Sequence, residues 1–286
     1  MAAAVAWDMQ GEWENLWPDG AMPVVEGQAA TNGTPAIQWW LPEKRTTDAV
    51  MIVTPGGGYN HWSYNVEGRT CEYFCEKGMA CVILRYRVPR PPKGSPIYKG
   101  AWMDAQRAVR IVRRDAAKYG CSPDKIGMLG FSAGGHLALL AAASSQSIAY
   151  GRVDEADDIP CHLDWCAALY PAYVLADGKS GPNAKETCGN DLATEINPEF
   201  KFDGATPPVF LMHGDDDKYS AMGSVRIYHK LRTMGIPAEL HVLARKGHVF
   251  FRNAKPCEPA ALWKDRVWEW FAFMEESGGF HNRNVK

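Results

Sequence analysis

In the segment KIGMLGFSAGGHLALLAAA, residues 125–143, glycines around a single serine interrupt an apolar run. Ile126, Met128 and Leu129 before the break are typical of a short buried strand. The leucines and alanines after it are typical of a helix that is buried on most sides. Because glycine allows sharp turns and close backbone approach, the break predicts a strand-to-helix turn that presents Ser132.

Before and after this segment, strand patterns alternate with helical patterns along most of the 286-residue chain. The runs VMIV at 50–53 and VFLM at 209–212 are continuously apolar, as expected for parallel strands covered on both faces. The alternation predicts an α/β fold with a doubly wound, mainly parallel sheet and helices on both faces. We expect an N-terminal extension at 1–35 that wraps the surface and one catalytic domain at 36–286. Within it, the polar, weakly periodic segment 177–204 is an expected insertion over the site.

Composition places the chain among globular proteins and disfavours several functions. Apolar residues make up 46%, charged residues 22%, and the net charge is −2. The basic run at 85–93 is short and broken by prolines, so no nucleic-acid partner is expected. Without an apolar run of about 20 residues, no membrane partner is expected either. The N-terminus lacks a signal-peptide pattern, which predicts a cytoplasmic protein, with secretion or a periplasmic location open if a leader was removed.

The eight cysteines and eight histidines show no spacing typical of a metal site. We therefore expect neither a metal nor another cofactor. A chain of this length has enough core-forming residues to fold without disulfides, so buried free thiols are the favoured interpretation of the cysteines. Pairing between them stays open.

The motif Gly-x-Ser-x-Gly at 130–134 lies between the predicted strand and helix, the position of a nucleophile elbow. A serine hydroxyl needs a base to take its proton, and that base is usually a histidine oriented by a carboxylate. The aspartates at 215–217 and then His248 follow Ser132 along the chain, each just after a predicted strand. The alternative is a tight turn in which Ser132 caps the helix. Spacing alone does not choose among the three aspartates.

A second glycine motif, PGGGY at 55–59, follows the strand at 50–53. Attack on an ester carbonyl creates an oxyanion that needs preorganised hydrogen-bond donors. The backbone N–H groups of Gly57, Gly58 and Ala133 are the candidates for this oxyanion hole. The alternative is a simple glycine turn.

These motifs, together with CVILRYRVPR and the long string from DAQRAVRIVRR to GFSAGGHLA, resemble the α/β-hydrolase esterases related to bacterial carbohydrate acetyl esterases and the feruloyl-esterase-like group. The resemblance covers about residues 50–251. It implies an α/β-hydrolase fold with Ser132, Asp217 and His248 as catalytic residues, since the family's His-Gly-x-x-Asp pattern falls on Asp217. One departure is Pro55, where lipase relatives carry a histidine, so one possible anchor of the oxyanion loop is missing.

The resemblance and the motifs predict a serine carboxylic-ester hydrolase that deacetylates short-acyl esters, such as acetylated carbohydrates, through an acyl-serine intermediate. The alternatives are a feruloyl esterase or peptidase-like acyl hydrolase, and a non-catalytic binding protein of the same fold. A small-molecule or carbohydrate ester is the expected partner, and the oligomeric state is open. Tyr59 and Trp62 are expected to wall a small substrate pocket. Trp7, Trp13 and Trp17 either stack on sugar or pack the N-terminal extension.

Overall fold

The computed structural model describes residues 10–28, 33–63, 66–91, 95–144, 147–176 and 195–281. Within these ranges, five α-helices pack against one eight-stranded sheet. The strands are β1 (Gln10–Asn15), β2 (Ala36–Trp40), β3 (Val50–Thr54), β4 (Ala80–Arg85), β5 (Ile126–Phe131), β6 (Trp165–Leu169), β7 (Val209–Gly214) and β8 (Ala238–Leu243). The helices are α1 (Val66–Glu76), α2 (Lys99–Asp115), α3 (Ala133–Ala143), α4 (Met222–Thr233) and α5 (Trp263–Glu276). Four short 3₁₀ helices cover Ala116–Tyr119, Glu155–Asp158, Pro259–Leu262 and Gly279–His281.

The strand order across the sheet is β1-β2-β4-β3-β5-β6-β7-β8. In this order, the last six strands, β4-β3-β5-β6-β7-β8, pair in parallel. Strands β1 and β2 pair in antiparallel fashion at the edge beside β4. The predicted mainly parallel α/β sheet is confirmed. Because all parallel strands end at the same edge, the loops that follow β3, β5, β7 and β8 are brought together there.

The two faces of the sheet carry separate hydrophobic cores. One core lies under α2, α3 and α4, and the other lies under α1 and α5. Every residue of α3 is buried, as its continuous run of small and apolar residues predicts. The thiols of Cys71, Cys75 and Cys81 are free and buried in the second core.

The N-terminal segment is attached to the sheet more closely than its composition indicated. Residues 10–15 form β1, which pairs with β2, and the following Trp17 is buried. The Trp17 indole donates to Asp104 Oδ1 at 2.8 Å, and the Arg87 guanidinium meets the same carboxylate through Nη2 at 2.6 Å and Nε at 2.9 Å. This buried cluster joins the extension to α2, so Trp17 packs the core rather than stacking on sugar.

Two expectations lie wholly or largely outside the described residues. The first is the role of Trp7. The second is the insertion at 177–204, of which residues 177–194 are not described. Past that range, Ile196 forms an isolated antiparallel bridge with Leu175. Among the helices that the structure describes, none is long and apolar enough to cross a membrane.

Candidate active site

Ser132 occupies the sharp turn between β5 and α3. Its backbone angles are φ 54° and ψ −117°, a strained combination that a non-glycine residue keeps only where its surroundings impose it. The Ser132 N–H donates to Leu169 O at 3.0 Å, on the neighbouring strand β6. On the other side, a Cβ added to Gly134 would lie 2.2 Å from Thr54 O, so the elbow fits against β3 only with glycine there. The turn therefore holds Ser132 at the carboxyl edge of the central strand.

The structure brings Ser132, His248 and Asp217 into one hydrogen-bonded chain. Ser132 Oγ lies 2.8 Å from His248 Nε2. His248 Nδ1 lies 3.0 Å from Oδ1 and 2.8 Å from Oδ2 of Asp217. A carboxylate only accepts hydrogen bonds, so the imidazole proton belongs on Nδ1 and leaves Nε2 to accept the serine proton. Ser132 and His248 keep part of their surface exposed, which leaves the reactive end of the chain open to a ligand.

Among the three adjacent aspartates, Asp217 alone is buried; Asp215 and Asp216 are exposed. Its Oδ1 accepts the Tyr219 backbone N–H at 2.9 Å. Its Oδ2 lies 3.3 Å from Nε2 of His213. Burial alone would raise the pKa of Asp217, but its interactions with His213 and His248 outweigh burial and lower that pKa to about 2. The carboxylate is thus held charged beside the imidazole.

His248 sits in the loop after β8, which lies directly against the aspartate loop after β7. The N–H groups of Asp215 and Asp216 donate to Leu243 O and Lys246 O, at 3.0 and 2.9 Å. The rings of Tyr170 and Tyr219 flank the imidazole, with centroids 4.9 and 5.0 Å from it.

The sequence did not single out these flanking rings. Nor did it indicate the 2.8 Å hydrogen bond between Ser224 Oγ and Nδ1 of His213, behind Asp217. The position of His213 at the end of a strand beside the site was the available signal.

The glycine loop after β3 lies beside the elbow. A Cβ added to Gly56 would come 3.3 Å from Cβ of Ser132 and 3.1 Å from Phe131 O. Gly57 has φ +119°, and a Cβ there would lie 2.0 Å from His61 O, so its conformation requires glycine. Gly58 faces the Tyr173 hydroxyl. Gly56 was not singled out among the three glycines, yet its backbone approaches the serine turn directly.

The third oxyanion-hole candidate belongs to the elbow itself. Ala133 is the first residue of α3, and the first N–H groups of a helix have no partner within the helix. The two candidate donor segments therefore belong to separate elements, the β3 loop and the start of α3.

The two predicted pocket residues have different surroundings. Tyr59 has no exposed surface, and its hydroxyl lies 2.8 Å from Nδ1 of His136. The predicted contact between Tyr59 and the substrate is therefore not supported, because the ring is a core side chain that points away from solvent. Trp62 donates its indole N–H to Tyr86 O at 2.8 Å and borders a cavity of about 210 Å³ next to the glycine loop. The cavity is lined by Trp13, Gln38, Pro55, Trp62, Glu67, Gly68, Ile83 and Arg85.

No group of three or more His, Cys, Asp or Glu side chains that could hold a metal ion occurs in the part of the chain that the structure describes. The two histidines next to Asp217 both face its Oδ2, His213 through Nε2 at 3.3 Å and His248 through Nδ1 at 2.8 Å. The site is thus a serine, an imidazole and a carboxylate next to a glycine loop.

Two protein-family models match the chain. The prolyl oligopeptidase family matches residues 103–274, and BD-FAE matches residues 37–164. An acetylxylan esterase of Xylanibacter ruminicola is 26% identical over 233 residues, which are 77% of this chain and 44% of that protein. Esterase LipQ of Mycobacterium tuberculosis is 29% identical over 190 residues, 59% of this chain and 42% of that protein. The chain thus spans less than half the length of these curated relatives.

Among solved structures, an acetyl ester-xyloside bifunctional hydrolase from Caldicellulosiruptor lactoaceticus is similar over almost the whole chain. The TM-score is 0.74 at 26% sequence identity, with 93% of this chain and 97% of that chain covered. Together with the strand order, this similarity confirms the predicted α/β-hydrolase fold.

Proposed function

Since the chain belongs to the prolyl oligopeptidase family of α/β hydrolases, we propose that it is a serine carboxylic-ester hydrolase. The observation that carries this proposal is the hydrogen-bonded chain Ser132–His248–Asp217, with a buried carboxylate at one end and a partly exposed serine at the other. Such an arrangement activates a hydroxyl that is otherwise a weak nucleophile.

In the acylation step, Ser132 Oγ attacks the ester carbonyl carbon while His248 Nε2 accepts its proton. The imidazolium that forms is stabilised by Asp217, which stays charged because its pKa is lowered to about 2. The tetrahedral intermediate then collapses, the bond to the alcohol oxygen breaks, and His248 returns the proton to that oxygen. The products of this step are a free alcohol and an acyl group on Ser132.

Deacylation repeats the same steps with water as the nucleophile. His248 takes a proton from the water as its oxygen attacks the acyl carbon, and then gives the proton to Ser132 Oγ as the acid leaves. In both steps, negative charge develops on the carbonyl oxygen, where donors in a preorganised site act most strongly. We assign these donors to the N–H groups of Gly57, Gly58 and Ala133, with Gly56 placing the loop against Ser132.

For the substrate, we propose a short-acyl ester of a carbohydrate. Two relatives point this way by name, the acetylxylan esterase and the acetyl ester-xyloside hydrolase. The cavity beside the glycine loop is bordered by Trp13 and Trp62, but the Arg85 guanidinium already stacks on Trp13, 3.5 Å from its ring centroid, and Trp62 is buried, so the carbohydrate assignment rests on these relatives. A feruloyl ester is the second candidate, favoured by the BD-FAE match over residues 37–164. A peptidase-like acyl hydrolase and a non-catalytic protein are the remaining alternatives.

A substrate series separates the ester-hydrolase candidates. Catalytic efficiency is measured on nitrophenyl acetate, butyrate and octanoate, on methyl ferulate, and on acetylated xylan. The proposal predicts the highest efficiency on acetate and release of acetate from the xylan. Preference for octanoate would reject the short-acyl assignment, preference for ferulate would favour the second candidate, and hydrolysis of none of these esters would leave the peptidase-like and binding-protein alternatives.

A further inference from the structure

A buried hydroxyl–imidazole contact joins the glycine loop to the helix of the serine. Tyr59, the residue directly after Gly58, places its hydroxyl 2.8 Å from Nδ1 of His136. His136 lies in the first turn of α3, where its N–H donates to Ser132 O at 2.9 Å. Neither side chain has any exposed surface. The contact therefore spans the two segments that carry the candidate oxyanion donors.

The role of His136 Nδ1 as a hydrogen-bond acceptor follows from Glu199, which lies on the other side of the ring. His136 Nε2 lies 3.4 Å from Oε1 of Glu199. Because a carboxylate only accepts hydrogen bonds, the ring proton belongs on Nε2, and Nδ1 is left to accept the Tyr59 O–H. The main chain of Glu199 is held in turn, since its carbonyl oxygen accepts the Ser144 hydroxyl at 3.0 Å. All three groups of this chain thus have defined roles as donor or acceptor.

The backbone of Tyr59 shows why such a contact is needed. Its φ is +63°, a left-handed conformation that is an outlier for a bulky residue and that follows two glycines with positive φ. Such strain persists only where surrounding contacts over-determine it. The Tyr59 ring packs against Tyr86 and Tyr173, at 5.7 and 6.3 Å between centroids. The hydroxyl at the far end of the Tyr59 ring adds the hydrogen bond to His136, which, unlike ring packing, depends on direction.

We propose that Tyr59 and His136 are positioning residues that fix the oxyanion loop relative to Ser132. Pro55 is itself held by a second hydroxyl, because Tyr86 Oη donates to its carbonyl at 2.7 Å. This inference rests on the proposed function, since a loop is an oxyanion loop only in an enzyme that forms an oxyanion.

We call the hydrogen bond between Tyr59 and His136 the tether. The size of the expected effect follows from the position of the oxyanion donors, which the tether controls. Removing one oxyanion donor typically costs about 10²- to 10³-fold in kcat, and a misplacement of about 1 Å costs about 10²-fold. Losing the tether loosens the donors without deleting them. We expect Tyr59→Phe to lower kcat by about 10- to 100-fold on nitrophenyl acetate, with KM changed less than about 3-fold, because the oxyanion exists only in the transition state.

A matched control separates positioning from simple stability. Tyr150 is another buried tyrosine, whose hydroxyl contacts Asp157 at 2.5 Å and Arg110 at 2.8 Å away from the site. Tyr150→Phe should lower the melting temperature while leaving kcat within about 2-fold, because it removes buried hydrogen bonds from the core alone. Equal losses of kcat in Tyr59→Phe and Tyr150→Phe would overturn the proposal.

The double variant Tyr59→Phe/His136→Leu gives a second test. Removing both partners leaves neither side of the Tyr59–His136 contact unsatisfied, and Glu199, which loses His136 Nε2, keeps 16% of its side chain exposed to water, so the melting temperature should recover relative to Tyr59→Phe. Its kcat should stay as low as that of either single variant, because one tether is lost in each. Recovery of kcat together with stability would show a purely structural contact and overturn the inference. If the wild type hydrolyses no ester, the proposed function fails; if it does and Tyr59→Phe keeps full kcat, the tether alone fails.

Discussion

Asp217→Asn tests which nitrogen of His248 carries the proton in the proposed site. The carboxylate oxygens accept both the His248 Nδ1–H and the Tyr219 backbone N–H. An asparagine can keep one oxygen toward Tyr219, but its NH₂ group then faces His248 Nδ1 and donates to it. The imidazole is forced into the tautomer that carries its proton on Nε2. That nitrogen can no longer accept the proton of Ser132.

The expected loss of kcat is about 10⁴-fold, the typical effect of an aspartate-to-asparagine change that reverses the tautomer of the base. A smaller effect on stability accompanies it. Because the pKa of Asp217 is about 2 in the folded state and 3.8 as a free side chain, charge at this position stabilises the fold by about 2 kcal/mol at neutral pH. That contribution is present above about pH 4 and is lost as pH falls towards 2.

The assay is steady-state hydrolysis of nitrophenyl acetate, with circular dichroism to confirm that each variant is folded. Asp216→Asn is the matched control, since Asp216 is exposed and one position away. Asp216→Asn should keep kcat within about 2-fold of the wild type, because exposed substitutions away from a site have small effects. A loss of kcat in Asp216→Asn that equals or exceeds the loss in Asp217→Asn would refute the assignment of Asp217.

Three further predictions concern single positions. Gly57→Ala should lower kcat by at least about 10²-fold in a folded protein, because the new Cβ would lie 2.0 Å from His61 O and displace the oxyanion loop; kinetics and a melting curve check it. Glu67 is buried, and desolvation raises its pKa to about 7, so its ionisation should destabilise the fold as pH rises from about 4.5 to 7. From pH 4 to pH 8, the free energy of unfolding of Glu67→Gln should therefore rise by about 3 kcal/mol relative to that of the wild type. Urea unfolding of both proteins at the two pH values measures this difference. Asp104→Ala should cost about 3–5 kcal/mol in the same assay, since it leaves the Arg87 guanidinium buried without its carboxylate.

The nucleophile turn was predictable because two signals agree there. The hydrophobic pattern changes from that of a strand to that of a helix across residues 125–143, and small residues occupy the change. The structure shows the reason for the glycines, since any side chain at Gly134 would collide with β3. Local pattern and local geometry coincide at such a turn, so sequence suffices to predict it.

Tyr59 shows where sequence proximity misleads. It follows the glycine loop directly, which favoured a role in the pocket, yet its side chain turns into the core. The direction depends on the positive φ values at 57–59 and on His136, which is 77 positions away along the chain. Neither is visible in a local pattern. Strand β1 was missed for a related reason, because an edge strand at 10–15 with one paired neighbour needs no continuous apolar run.

The most direct test of Ser132 as the nucleophile is the site of covalent labelling by a serine-reactive phosphonate. The wild type is treated with the phosphonate, its remaining activity on nitrophenyl acetate is followed, and the labelled peptide is identified by mass spectrometry. An acyl-serine mechanism at Ser132 predicts one phosphonyl group per chain, on Ser132, with activity lost in proportion to labelling and no labelling in Ser132→Ala. An enzyme that hydrolyses the acetate while Ser132 stays unlabelled, or that loses activity through a label on another residue, would contradict it.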